Sequence, residues 1–120
     1  MLVCMSCGGS PSSPSTTGEW GGDHASLTVG DATSHIEFDC AHGDFNGAIT
    51  TASFNLAGSF VREHGGPIRQ GEPPDMHPAV YGGSISGSRM TLTVRLTDTN
   101  ETVGTFMLTR GSTGRIVKCL

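Results

Sequence analysis

Met90-Thr91-Leu92-Thr93-Val94-Arg95-Leu96-Thr97 alternates apolar and polar residues without a break. In an extended chain successive side chains point to opposite faces, so this run has one apolar face and one wet face. The same period of two appears in Ile36, Phe38 and Cys40 against His35, Glu37 and Asp39, and in Ala25, Leu27 and Val29 against Ser26 and Thr28. Weaker runs at 44–49, 53–62, 80–86, 103–110 and 115–119 bring the expected strands to eight. Turn-forming residues separate them: Gly30-Asp31, His42-Gly43, Gly87-Ser88, Thr99-Asn100 and the run from Gly111 to Gly114. No helical period holds over a useful length. Short antiparallel strands with tight connections predict an all-β fold, a small eight-stranded up-and-down barrel that removes its own edges by closing. A two-sheet β-sandwich with Greek-key crossovers is the alternative.

At 120 residues the chain fits one domain. Hydrophobic residues at 35% together with 18 glycines are enough for a core. Charge is sparse: seven Lys and Arg face eleven Asp and Glu, and Lys118 is the single lysine. Nucleic acid and anionic membrane surfaces want a basic stripe, which this chain lacks. Residues 1–17, MLVCMSCGGSPSSPSTT, carry no charge and too little apolar surface to order themselves. Ser6-Cys7 followed by Gly8-Gly9-Ser10-Pro11 looks like the end of a bacterial lipoprotein signal and its tether, with Cys7 as the lipidated residue. The reading is therefore a disordered tether over 1–17 and a single β-barrel domain over 18–120. It implies export to the periplasm, or anchoring at the outer membrane, with contact to the membrane only through the lipid.

Cys40 and Cys119 are the only cysteines outside the tether, and an oxidising compartment predicts that they are bridged. Closing a span of about 80 residues would stabilise the fold by roughly 4.5 kcal/mol on the chain-entropy model. A strict meander sets one strand between the two cysteines, a separation of about 9.6 Å that exceeds the roughly 7 Å reach of a disulfide. The C-terminal tail must then step over the end of the first strand, or the strand order differs.

Gly18-Glu19-Trp20 resembles the Gly-x-Trp opening of calycin barrels, the lipocalins and avidin-like proteins. In those barrels a Trp plugs the closed end and a basic residue of the last strand lies across it. The resemblance implies a core role for Trp20, with Arg115 at the start of the expected last strand supplying a cation–π contact. Longer stretches, Trp20-Gly21-Gly22-Asp23-His24, Ile36 through Gly43, Glu63-His64-Gly65-Gly66-Pro67, Pro78 through Val94 and Lys118-Cys119-Leu120, resemble a family of small exported bacterial proteins of uncharacterised function. That resemblance implies export and a compact β domain, and it transfers no active residue.

Five histidines stand out, and several neighbour an acid or a sulfur: Asp23-His24, His42 with Asp44, Glu63-His64 and Met76-His77. Their spacing gives no Cys-x-x-Cys or His-x-x-x-His pair in the domain, so no metal site and no cofactor are predicted. Cys40 and His42 would suit a thiol–imidazole pair, but a bridged cysteine is no nucleophile. Glu37 and Asp39 share a wet strand face and read as solubilising. The remaining feature is the long segment 63–79, EHGGPIRQGEPPDMHPA, which shows no alternation. Loops of that length usually carry function, and His64, Arg69, Asp75, Met76 and His77 are the candidate binding residues. The expected function is a non-enzymatic, monomeric, exported binding protein that takes a small ligand or a cell-envelope target at the barrel mouth and this loop. The alternative is a protein-partner module such as a periplasmic protease or lysozyme inhibitor, and the third is copper or zinc handling.

Overall fold

The computed structural model describes residues 16–49, 51–63 and 75–118. Its strands are β1 (Gly18–Gly22), β2 (Ala25–Val29), β3 (Thr33–Phe38), β4 (Ala41–Asn46), β5 (Ser53–Arg62), β6 (Asp75–Ser86), β7 (Arg89–Leu96) and β8 (Thr102–Arg110). The alternation of β7 becomes an inside and an outside: Met90, Leu92, Val94 and Leu96 are fully buried, while Thr93 and Arg95 face solvent. Each strand pairs antiparallel with the next, and β8 pairs back onto β1, giving one closed barrel. The sandwich alternative falls with that closure.

The strand count matches the sequence reading, but its membership differs. The stretch 18–29 is two strands, because Asp23 and His24 form a two-residue turn that pairs Gly22 with Ala25 and holds His24 at φ 70. The β3–β4 turn is Asp39-Cys40, closed by the Phe38–Ala41 pair, and not His42-Gly43. Gly43 instead faces inward, where a Cβ would collide with the Tyr81 hydroxyl. Cys40 therefore lies in a half-buried turn and not on the inner face of a strand.

Along β6, pairing begins at Asp75, so the end of the supposed 63–79 loop is strand: Asp75, Met76, His77 and Pro78 face Arg62, Val61, Phe60 and Ser59. Pro78 is tolerated because its nitrogen faces the β7 side beyond the last ladder pair. Its carbonyl still accepts the Thr97 N–H at 2.9 Å. His64 and Arg69 lie outside the described residues.

One cluster occupies the barrel interior. Phe45 stacks on Tyr81 with ring centroids 4.7 Å apart, and the Tyr81 hydroxyl donates to the Ser59 carbonyl at 2.7 Å. Phe38 packs on Phe60 at 5.4 Å and on Phe106 at 5.0 Å. Aromatic and aliphatic side chains of this size contribute about 1.5–3 kcal/mol each on burial. Eight strands make a barrel only just wide enough for such side chains to fill.

Trp20 is fully buried at the seam between β1 and β8, and its indole N–H donates to the Thr16 carbonyl at 3.0 Å. Thr16, just before β1 and within the stretch read as tether, is therefore tied to the barrel, and its hydroxyl also donates to the Ile49 carbonyl. The cation over the indole is Arg110, 5.4 Å from the ring centroid, and not Arg115. Arg110 is the register partner of Trp20, whereas the Arg115 side chain is 79% exposed and pairs with Asp23. The expectation failed because residues 115–118 form no strand. They follow β8 as a strap over the outside of the barrel.

The strap starts with the Gly111 N–H donating to the Glu19 carbonyl at 2.7 Å. It then lies against Gly21, where a Cβ would collide with the backbone of Ser112 and Gly114. The Arg115 N–H donates to the Gly22 carbonyl at 2.9 Å, and the His24 N–H to the Arg115 carbonyl at 2.8 Å. Beyond it, the Val117 N–H reaches the Asp39 carboxylate at 3.0 Å. The chain has by then crossed the β1–β2 hairpin to the β3–β4 turn, which is the step that a Cys40–Cys119 bridge requires. Cys40 is disulfide-bonded, while Cys119 lies outside the described residues.

Arg110→Gln should lower unfolding stability by about 1 kcal/mol, the worth of a cation–π contact, or about 4 °C in Tm for a domain of this size. Arg115→Gln should stay within about 0.5 kcal/mol. Denaturant titration of both variants checks the assignment, and equal losses would contradict it.

Candidate functional site

Period two places His35 and Glu37 of β3, and His42 and Asp44 of β4, on the outer wall. The hairpin register then sets His35 opposite Asp44 and Glu37 opposite His42. His35 Nδ1 lies 2.8 Å from Asp44 Oδ1, and its Nε2 contacts Glu37 Oε2. Carboxylates only accept, so both ring nitrogens must donate and the ring is an imidazolium. Burial opposes that charge, but the hydrogen bonds to Asp44 and Glu37 outweigh it and hold the His35 pKa above its ordinary 6.5.

From Glu37 the network passes to the strap. Lys118 Nζ lies 2.7 Å from Glu37 Oε1 and 2.9 Å from Glu63 Oε2, and it donates to the Ala41 carbonyl at 3.1 Å. Glu63, just past β5, meets His42 Nδ1 at 2.7 Å. The result is an alternating chain, Asp44, His35, Glu37, Lys118, Glu63 and His42, that ties the strap to the wall. Burial would raise the carboxyl pKa of Glu37 and Glu63. The hydrogen bonds of Lys118 and His35 at Glu37, and of His42 and Lys118 at Glu63, lower both below their usual range. For Lys118, burial works against the charge and the two glutamates outweigh it, raising the ammonium pKa.

A second imidazolium sits where β6 begins. His77 Nδ1 is 2.8 Å from Asp98 and Nε2 is 2.9 Å from Asp75, again with an acceptor at each nitrogen. The hydrogen bond to Asp98 is the main cause of a raised His77 pKa, and the same bond lowers that of Asp98. At the β3–β4 turn, Asp39 accepts from the Val117 N–H and meets His24 Nδ1 at 2.6 Å, and both hydrogen bonds lower its pKa. All four described histidines thus face carboxylates.

Of the candidate residues read from the sequence, Asp75 and His77 are brought together, and Met76 is exposed beside them. The spacing His35-x-Glu37 and Asp75-x-His77 was a usable signal, because period two puts both members on one face. Asp44 and Glu63 were read beside His42 and His64, whereas the structure sets Asp44 against His35 and Glu63 against His42. Asp98 and Lys118 were missed because they arrive from another strand's end and from the strap. Among the described residues no group of three or more His, Cys, Asp and Glu has a geometry that could hold a metal ion.

No protein-family model, curated protein or solved structure matches this chain.

The network fixes a pH dependence. A histidine whose folded pKa is raised stabilises fully below its unfolded value, near 6.5 for His35 and His77, and loses that contribution as pH rises through the folded value. The depressed carboxylates, Glu37 and Glu63 among them, contribute above their ordinary 4.5 and lose it as pH falls through their folded values. Stability should therefore peak between about pH 5 and 6.5 and decline on both sides. His35→Gln should flatten the alkaline decline, by no more than about 0.5 kcal/mol because the pair is half exposed. Denaturant midpoints measured from pH 4 to 9 test both statements.

Proposed function

We propose that the protein is a non-enzymatic binding module, exported from a bacterial cell, that recognises a cationic protein through the acidic outer end of its barrel. The observation that carries this reading is the gathering of carboxylates at one end. Asp23, Glu37, Asp39, Glu63, Asp75, Asp98 and Glu101, out of the eleven acids in the chain, lie at or near the turns joining β1 to β2, β3 to β4 and β7 to β8, or at the β5 and β6 ends. Among the described residues, three cations placed there are engaged by acids, Arg62 with Glu101, Arg115 with Asp23, and Lys118 with Glu37 and Glu63, while Arg95 donates to the Asn100 carboxamide. Such an end steers a basic partner and discriminates against acidic ones. The partner fits the inhibitor class, in which the target is a small basic enzyme acting on the cell envelope.

A disulfide at Cys40 supports export, since such bonds persist in oxidising compartments. Its proposed mate is Cys119. Non-reducing peptide mapping should recover a Cys40–Cys119 linked pair, and either cysteine free or joined to Cys4 or Cys7 would overturn the pairing. Lipidation at Cys7 belongs to the same proposal and lies outside the described residues.

With a cationic lysozyme as the probe, binding should weaken at least tenfold between low and physiological salt. It should also strengthen as pH rises through the raised pKa of His77, where that ring loses its charge. Asp75→Asn combined with Asp98→Asn should weaken it further without unfolding the barrel. Binding indifferent to salt and to these substitutions would overturn the acidic-end reading.

A small ligand inside the barrel is the second reading, and one observation favours it. The Ser34 hydroxyl, on a residue 3% exposed, lies between Val29 and Phe45 with no hydrogen-bond partner among the described residues. Phe54, Leu56 and Ile85, at the end opposite the acidic one, are only partly buried. Enhanced fluorescence of an apolar probe, lost in Leu56→Asp, would support that reading over the first.

A further inference from the structure

The turn between β7 and β8 reads Asp98-Thr99-Asn100-Glu101-Thr102. Asn-x-Thr is the acceptor pattern for N-linked glycosylation when the middle residue is not proline, and here that residue is glutamate. Every residue from Thr97 to Thr102 is exposed, so the pattern stands on a projecting hairpin tip and not in the barrel wall.

Local geometry presents the acceptor. Asn100 takes φ 59, the left-handed conformation that turns its side chain out of the ladder. The Arg95 guanidinium donates to Asn100 Oδ1 at 2.9 Å. A guanidinium has no acceptor, so the carboxamide must offer it the oxygen, which leaves the Nδ2 nitrogen on the solvent side. Thr102, the other recognised residue, pairs with Arg95 at the first step of the β7–β8 ladder.

We propose that Asn100 is an N-glycosylation site, modified by an oligosaccharyltransferase that uses a polyprenyl-pyrophosphate-linked oligosaccharide. Nδ2 attacks the anomeric carbon of the first sugar. The bond from that carbon to the pyrophosphate oxygen breaks, Nδ2 gives up one proton to solvent, and the polyprenyl pyrophosphate leaves with the bonding electrons. No oxidant or reductant is involved. The Arg95 contact holds the carboxamide in place before the transferase arrives. In the cell this step depends on the export reading, since such transferases act beyond the cytoplasmic membrane.

The test separates the two. The purified, folded full-length chain is incubated with a purified bacterial oligosaccharyltransferase and its lipid-linked oligosaccharide, which removes any need for export. Intact mass should rise by one glycan, with peptide mapping placing it on Asn100. The shift should vanish in Asn100→Gln and Thr102→Ala and persist in Thr102→Ser, with all variants keeping the wild-type circular dichroism spectrum. Arg95→Ala, which frees the carboxamide to rotate, should slow modification severalfold. An unmodified wild-type chain, or a glycan that persists in Asn100→Gln, overturns the proposal. Fractionation of cells producing the same chain tests export by itself.

Discussion

The seam between β1 and β8 is the constraint on which the rest of the structure depends. Two register pairs close the barrel there, Trp20 with Arg110 and Gly21 with Thr109. Without it β1 and β8 would be free edges, and the inner face of each strand would open to water. So short a seam needs support from both sides. From inside, the buried indole of Trp20 is held by the Thr16 carbonyl and covered by Arg110. From outside, the strap that follows β8 lies on Gly21, where any side chain would push it away. Closure, the Trp20 environment and the course of the C-terminus are one arrangement.

The strap also explains why the polar chemistry sits on the outer wall. Lys118 arrives at the end of the strap and sets its ammonium between Glu37 and Glu63, which belong to β3 and the end of β5. These glutamates are in turn held by His35 and His42, so imidazole, carboxylate and ammonium alternate around the rim. A single exposed ion pair contributes little, but groups that share partners and are partly shielded act together. The same acids that fasten the strap give this end its negative character, so the proposed partner surface and the C-terminal anchor are built from common residues.

The period of two in residues 90–97, 35–40 and 25–29 determined by itself that the fold is all-β with one wet face, because a shift by one residue would exchange core for solvent along a whole strand. Eight strands in sequence order with short turns then favoured closure, and Trp20 was legible as a core residue. What the tertiary structure alone decided was which residues meet across strands. With Asp39-Cys40 as the turn, Gly43 falls inside β4, where the Tyr81 hydroxyl of β6 fills the space a Cβ would need, a contact that no local pattern records. Arg110 took the place expected for Arg115 because the last strand is β8, whose register sets Arg110 opposite Trp20. His77 and Asp75 were legible as neighbours two residues apart, whereas Asp98 joins them from another strand. Lys118 was visible in the sequence only as the single lysine, since its role comes from a strap more than fifty residues distant from Glu63 along the chain. Local alternation is a property of one strand, and the outer network is a property of register and chain crossing, which only the closed barrel fixes.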